Sequence, residues 1–141
     1  MTGAKEVSTP LSPSVDLCAD TSPSFDATMY RQAICRLQYL VITRPEISFA
    51  VNRLAQFMAS PAEVHWQSVK RILRYLKGTV HYGLHFRGGP SGSLLDYSDS
   101  DWGGLHDGGR STTAYVMFFG ANVVSWRSAK QRFCVSIFYG S

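Results

Sequence analysis

The aspartates Asp99 and Asp101 are the residues whose spacing most directly suggests chemistry in this sequence. They end an apolar run that begins at Leu94, and a single serine separates them. Residues i and i+2 of an extended strand point to the same face, so both carboxylates share one side if the strand reaches Asp101. Close carboxylates repel unless a proton or a cation lies between them, and Mg²⁺ prefers such oxygen ligands. The spacing indicates either a metal site or a strand that ends in an ordinary polar turn.

A cluster of basic side chains is the second feature suited to binding a ligand. The motif Ser60-Pro61-Ala62-Glu63 is typical of a helix start, with an N-cap, a proline at the first position and a capping glutamate. The predicted helix continues to residue 77 and is about 25 Å long. Its apolar side chains are predicted to face inward, opposite four cations: Lys70, Arg71, Arg74 and Lys77. This face is predicted either to bind nucleic-acid phosphates or to be a solvated basic surface.

The distribution of charge favours an anionic partner. The 141 residues carry a net charge of +4, but residues 27–88 contain nine Lys and Arg against two acids, an excess typical of nucleic-acid binding. The length fits one domain or two very small ones. Three scattered cysteines, no secretory leader and no long apolar run predict an intracellular protein, cytoplasmic or nuclear, with no membrane partner.

The first part of the chain is predicted to consist of a polar segment and helices. Residues 1–26 are rich in Ser, Thr, Pro and Asp, a composition that predicts a linker or an extended strap. Asp26 is a good N-cap for a helix over residues 27–41, and a second helix is predicted over residues 45–58. Together with the basic helix, these predict a helical segment over residues 27–88.

The second part of the chain carries β signals. A Gly- and Ser-rich loop separates the two parts and is the best domain boundary. A tight turn at Gly120-Ala121 joins the last two strands. The predicted fold class is therefore α+β, in which an antiparallel β-meander follows the helical segment. The predicted strands are a short one over residues 79–87 and three more at Leu94 to Asp99, Thr112 to Phe119 and Asn122 to Trp126.

Two groups of motifs extend along the chain to about Arg132. The helical group includes Tyr30-Arg31-Gln32-Ala33-Ile34, Thr43-Arg44-Pro45-Glu46-Ile47 and Arg71-Ile72-Leu73-Arg74-Tyr75-Leu76-Lys77-Gly78-Thr79. The β group includes Tyr97-Ser98-Asp99-Ser100-Asp101-Trp102-Gly103-Gly104, Arg110-Ser111-Thr112-Thr113-Ala114-Tyr115 and Val124-Ser125-Trp126-Arg127-Ser128-Ala129-Lys130-Gln131. The combination resembles the Pol polyproteins of copia-type LTR retrotransposons. The first group is similar to the segment after the polymerase palm, and the second to the opening of the adjoining ribonuclease H domain.

The resemblance implies that the two parts of the chain have different roles within a Pol polyprotein, which includes an RNA-directed DNA polymerase. Residues 27–88 resemble the thumb-and-connection segment of reverse transcriptase, which grips a primer–template duplex or RNA–DNA hybrid. Residues 94–132 resemble the first strands of a ribonuclease H-like domain, whose carboxylates hold two Mg²⁺ ions for cleavage of RNA paired with DNA. Asp99 matches the first metal-binding carboxylate, and Asp101 belongs to the same motif. The rest of the polyprotein is an implied partner.

The tail over residues 133–141 departs from the family pattern. The family continues there with a helix that carries the next catalytic glutamate, and a frame shift within the Cys134 codon would restore that sequence. We therefore expect a frameshift with an early stop. One aspartate binds Mg²⁺ weakly, so we expect no tightly bound metal and a catalytically incomplete Pol fragment with residual nucleic-acid binding. The alternatives are a non-catalytic nucleic-acid-binding module and an inactive translated remnant.

Overall fold

The chain forms a helical unit and a sheet unit, each compact by itself. The first unit comprises Met1–Leu84 and the second His85–Ser141. Together they contain helices and an antiparallel sheet, which confirms the predicted α+β class. The tail over residues 133–141 lies outside the described part of the chain. The computed structural model describes four stretches: residues 5–18, 23–89, 92–101 and 110–131.

The first helix, α1, spans Ala27–Leu40 and begins as the sequence predicts. The Asp26 carboxylate accepts hydrogen bonds from the backbone N–H groups of Thr28, at 2.8 Å, and Met29, at 3.3 Å. This side chain satisfies donors that have no partner within the first turn of a helix. The predicted N-cap is therefore confirmed, and the helix ends one residue earlier than expected.

The predicted helix over residues 45–58 is wrong in its extent. A short 3₁₀ helix, Pro45–Ile47, precedes helix α2, which spans only Ser48–Ala55. Beyond it, the N–H of Phe57 bonds to the Leu54 carbonyl at 3.1 Å, an i to i+3 bond that tightens the chain into a turn. At the other end, the N–H of Ile47 bonds to the Arg44 carbonyl at 3.3 Å in a turn of the same kind. Tight turns at both ends therefore shorten the regular helix.

Helix α3 spans Glu63–Gly78, and the predicted capping box at Ser60 is wrong. Ala62 occupies the N-cap position, and its N–H donates to Nδ1 of His65 at 2.8 Å. The backbone just before α3 pairs instead with an earlier segment: the N–H of Phe25 donates to the Pro61 carbonyl at 2.9 Å. This long-range pairing holds Pro61 outside the helix. The helix therefore begins at Glu63, two residues later than predicted.

The apolar faces of the three helices meet in one core. Tyr30, Ile34, Leu54 and Ile72 are fully buried in it. The burial of Ile72 confirms that apolar side chains of the basic helix face inward. The Tyr30 hydroxyl donates to the Leu54 carbonyl at 2.8 Å, and therefore ties α1 to α2. Burial raises the pKa of Tyr30, because an apolar environment disfavours the phenolate.

The segment after α3 does not form the predicted strand over residues 79–87. Val80, Tyr82 and Phe86 are exposed there, so no apolar face is buried to stabilise a strand. The chain is instead fixed at Thr79, whose carbonyl and hydroxyl accept hydrogen bonds from the buried guanidinium of Arg44 at 3.0 and 2.6 Å. No described helix is long and apolar enough to cross a bilayer.

The sheet unit is an antiparallel meander in which the strands follow one another in chain order. The strands are β1, Leu94–Ser100, β2, Thr112–Phe119, and β3, Asn122–Lys130. β3 is four residues longer than predicted, because its pairing with β2 continues as far as Lys130. Gly120 adopts φ +60° in the tight turn, a conformation that glycine tolerates without strain. The meander and its turn are therefore confirmed.

Replacing Tyr30 tests the hydrogen bond between α1 and α2. Tyr30→Phe removes the buried donor to the Leu54 carbonyl and is expected to lower the free energy of unfolding by about 1 kcal/mol. Tyr39→Phe is the matched control, because Tyr39 is 78% exposed and is expected to change stability by less than about 0.5 kcal/mol. Urea unfolding followed by helical circular dichroism measures both, and equal effects would contradict the assignment.

Candidate nucleic-acid interface

The four predicted cations of α3 lie on the side of the helix opposite its core face. His65, Ser68, Val69, Ile72 and Tyr75 are the buried residues of this helix. At 100° per residue, the mean direction of residues 70, 71, 74 and 77 is about 170° from that of the buried residues. The stripe from residue 70 to residue 77 is about 10 Å long. We call these four residues the basic stripe: Lys70, Arg71, Arg74 and Lys77.

The ends of the basic stripe have different surroundings. Nζ of Lys70 lies 3.8 Å from Oε1 of Glu63, one ion pair on the helix surface. Half-exposed pairs of this kind contribute little to stability. Lys77 is exposed in the last turn, where the partial negative charge of the helix C-terminus stabilises a cation. Both amines can therefore approach a phosphate without a large rearrangement of the helix.

Arg74 is the residue of the stripe with an unfulfilled hydrogen-bond donor. Its side chain is half-buried, and Nε is buried without an acceptor among the residues that the structure describes. A buried donor without a partner costs about 1–3 kcal/mol, and an acceptor that reached it would remove that cost. An external acceptor reaches this nitrogen only when the half-buried side chain turns outward, and such a turn would bring the guanidinium to the centre of the stripe.

The polar N-terminal segment lies along the helical unit and covers part of the basic stripe. We call residues 5–18 the strap. Nε of Arg71 donates to the Thr9 carbonyl at 3.1 Å, and Nη2 donates to the Thr9 hydroxyl at 2.8 Å. Nothing in the local sequence predicts this contact, because the two residues are 62 positions apart. The strap therefore competes with external acceptors for one of the four cations.

Apolar side chains and one histidine attach the strap to the helices. Leu17 is only 5% exposed, and its carbonyl lies 2.8 Å from Nε2 of His65. Val7 and Leu11 are partly buried against the same core. The other nitrogen of His65 accepts the N–H that caps α3, so this residue links the strap to the helix start. Local sequence patterns do not reveal this link, because Leu17 and His65 are 48 positions apart.

The predicted metal-binding aspartates lie at the end of β1 in the sheet unit. Asp99 pairs with Ala114, which pairs with Ser128 in β3, so the three residues lie in one row across the sheet. Asp101 comes just after the strand. Its N–H donates to the Thr112 carbonyl at 3.1 Å, and its carboxylate accepts a hydrogen bond from the N–H of Thr112. Asp101 therefore continues the strand pairing for one more residue.

The described residues do not by themselves fit a two-metal centre. Asp96, Asp99 and Asp101 are the carboxylates in the described part of the sheet unit, and Asp96 lies on the opposite face from Asp99 because side chains alternate along a strand. The Asp101 carboxylate is engaged with the backbone. No group of three His, Cys, Asp or Glu suited to a metal ion occurs in the described residues. The metal role of Asp99 stays a prediction.

Comparison with known proteins identifies relatives over nearly the whole chain. It is 47% identical over 133 residues to the retrovirus-related Pol polyprotein from transposon RE1 of Arabidopsis thaliana, and 44% identical over 133 residues to that from transposon RE2 of the same plant. Each match covers 94% of this chain, which spans only 9% of either polyprotein. Secreted RxLR effector protein 161 of Plasmopara viticola is 45% identical over 104 residues, 73% of each chain. No protein-family model and no solved structure matches.

Truncating the buried leucine of the strap tests whether the strap is part of the folded helical unit. Leu17→Ala removes a side chain that is 5% exposed and is expected to lower the free energy of unfolding by about 2 kcal/mol. Val15→Ala in the same strap, at 37% exposure, should change it by less than about 0.5 kcal/mol. Chemical unfolding measures both variants. A neutral Leu17→Ala would mean that the strap does not dock.

Proposed function

Because the chain belongs to the copia-type Pol polyproteins of LTR retrotransposons, we propose that its helical unit binds the backbone of an RNA–DNA hybrid or primer–template duplex. The basic stripe of α3 is the proposed contact surface. In this proposal the chain serves as a nucleic-acid-binding segment of the polyprotein, of which it spans about a tenth. The polyprotein's own activities are not assigned to this chain alone.

The observation that carries the proposal is the buried Nε of Arg74, which has no acceptor among the described residues. A phosphate oxygen is a charged acceptor, and hydrogen bonds between ionised groups are about twice as strong as neutral ones. Arginine presents its donors in a planar fork that matches a phosphate. In this proposal the half-buried side chain of Arg74 turns toward the duplex backbone, and Nε, which has no acceptor among the described residues, then gains a phosphate oxygen.

The length and charge of the stripe match a short run of phosphates. Phosphates of one strand are spaced by about 3.4 Å along a duplex axis, so the ~10 Å between residues 70 and 77 corresponds to about three of them. Lys77 and Lys70 lie near the ends of the stripe, and Arg74 lies between them. Contacts of this kind are independent of base sequence, so the proposed binding distinguishes duplex shape rather than base order.

For the sheet unit, we propose that β1–β3 are the opening strands of a ribonuclease H-like domain. The support is the family membership together with the antiparallel meander, which places Asp99 near the end of its first strand. Two-metal hydrolysis needs ligands that clamp both ions, and the described carboxylates offer too few. We therefore propose that this chain does not cleave a hybrid by itself, whether or not Asp99 binds a metal in the polyprotein.

Salt-dependent binding of an RNA–DNA hybrid tests the interface. Arg74→Gln and Lys77→Gln should each weaken binding about fivefold, equivalent to about 1 kcal/mol, and reduce the slope of log K against log salt by about one. Arg36→Gln is the matched control, because Arg36 is exposed on α1 and outside the stripe. Fluorescence anisotropy at several salt concentrations measures all four proteins. Equal losses in the three variants, or no binding by the parent chain, would refute the interface.

A cleavage assay tests the proposed absence of catalysis separately. The full chain is incubated with an end-labelled RNA–DNA hybrid and millimolar Mg²⁺, and Asp99→Asn is the matched variant. We expect no RNA cleavage by either protein, because one aspartate with few neighbouring ligands leaves Mg²⁺ largely hydrated. Mg²⁺-dependent cleavage that is present in the parent chain and lost in Asp99→Asn would overturn the proposal.

A further inference from the structure

The strap contains a threonine that is exposed, followed by proline and held by an arginine. Thr9 precedes Pro10 in an exposed part of the strap, and its hydroxyl lies 2.8 Å from Nη2 of Arg71. We propose that Thr9 is a phosphorylation site for a proline-directed protein kinase, and that Arg71 binds the resulting phosphate. This inference goes beyond the proposed nucleic-acid binding and does not depend on it.

The geometry around Thr9 suits a phosphate better than a hydroxyl. Nε of Arg71 already donates to the Thr9 carbonyl, at 3.1 Å, and Nη2 reaches the side-chain oxygen. A phosphate at this oxygen adds three strong acceptors and a charge of about −1.5 to −2. Lys70 and Arg74 are the nearest further cations on the same helix, at the preceding position and one turn onward. The added charge therefore lies beside the Arg71 guanidinium.

The strap is accessible to a kinase because little regular structure holds it. No helix or strand is present in residues 5–18, and the side chains of Val7 and Leu11, on either side of Thr9, attach it to the core. Segments with few buried contacts open locally at low cost in free energy. A brief release of residues 7–11 presents Thr9 and Pro10 as an exposed peptide, and reclosure returns Thr9 to Arg71.

The strap also provides an internal comparison. Ser12 precedes Pro13 and therefore has the same local motif as Thr9. Its hydroxyl lies 2.9 Å from that of Ser14, and no cation is within hydrogen-bond distance of it in the described residues. Phosphate at Ser12 would gain no charged partner. The two sites share a sequence motif but differ in their surroundings. Ser12 therefore shows what phosphorylation does to the chain when no arginine binds the phosphate.

The proposed reaction is phosphoryl transfer from ATP. The Thr9 hydroxyl oxygen attacks the γ-phosphorus, a new O–P bond forms, and the bond between that phosphorus and the β–γ bridging oxygen breaks. ADP leaves with the bonding electron pair, and the hydroxyl proton passes to the base of the kinase. The product is a phosphothreonine that adds negative charge beside the basic stripe. If a duplex binds the basic stripe, the negative charge of the phosphorylated strap weakens that binding.

Thermal unfolding of the phosphorylated chain tests the proposal without any nucleic acid. The full chain is treated with a proline-directed kinase and ATP, and the modified positions are mapped by mass spectrometry. We expect phosphate at Thr9 and a rise in Tm of at least about 2 °C, because the phosphate joins the strap to α3. Arg71→Gln should accept the same phosphate without the rise. Ser12→Ala should keep both the Thr9 modification and the rise.

Three outcomes would overturn the proposal. The first is an unmodified Thr9 in the treated chain. The second is a modified Thr9 that leaves Tm unchanged or lowers it. The third is an equal rise in Tm in Arg71→Gln, which would mean that another group holds the phosphate. None of these results depends on hybrid affinity, so failure of the duplex-binding proposal leaves this test intact.

Discussion

Burial of one face of α3 is the constraint on which the rest of the helical unit depends. Val69 and Ile72 are fully buried, so the helix cannot rotate about its axis without exposing apolar surface that costs about 25 cal/mol per Å². That fixed rotation directs the basic stripe away from the core. It also decides which cations the strap can reach, because Arg71 lies at the edge of the stripe nearest to Thr9.

The strap and the basic stripe share a contact, because Arg71 of the stripe bonds to Thr9 of the strap. A segment of polar composition docks because three apolar side chains reach the core, at Val7, Leu11 and Leu17, and because Arg71 and His65 bond to its backbone. Each of these contacts is modest by itself. The strap can therefore stay attached in the free chain and still yield its contact with Arg71 to a stronger acceptor, such as a phosphate.

Local signals predicted most of the elements, and long-range contacts account for the misplaced start of α3. The Asp26 cap and the turn at Gly120 depend on neighbouring residues alone, and both were predicted. The start of α3 was misplaced because backbone bonds from residues 23–25 fix the chain just before it. The Arg71–Thr9 contact joins residues 62 positions apart, and no spacing rule reveals it. The basic stripe could be identified from the sequence, whereas the contact of the strap with it could not.

Chemical footprinting of the lysines locates the surface of the chain that an RNA–DNA hybrid contacts. The chain is acetylated with and without a saturating RNA–DNA hybrid, and the rate at each of Lys5, Lys70, Lys77 and Lys130 is measured by mass spectrometry. If a duplex binds the basic stripe, the hybrid slows the reaction at Lys70 and Lys77 and leaves Lys5 and Lys130 unprotected. Unchanged rates at Lys70 and Lys77, with protection at Lys130 in β3 instead, would show that the hybrid does not bind the basic stripe.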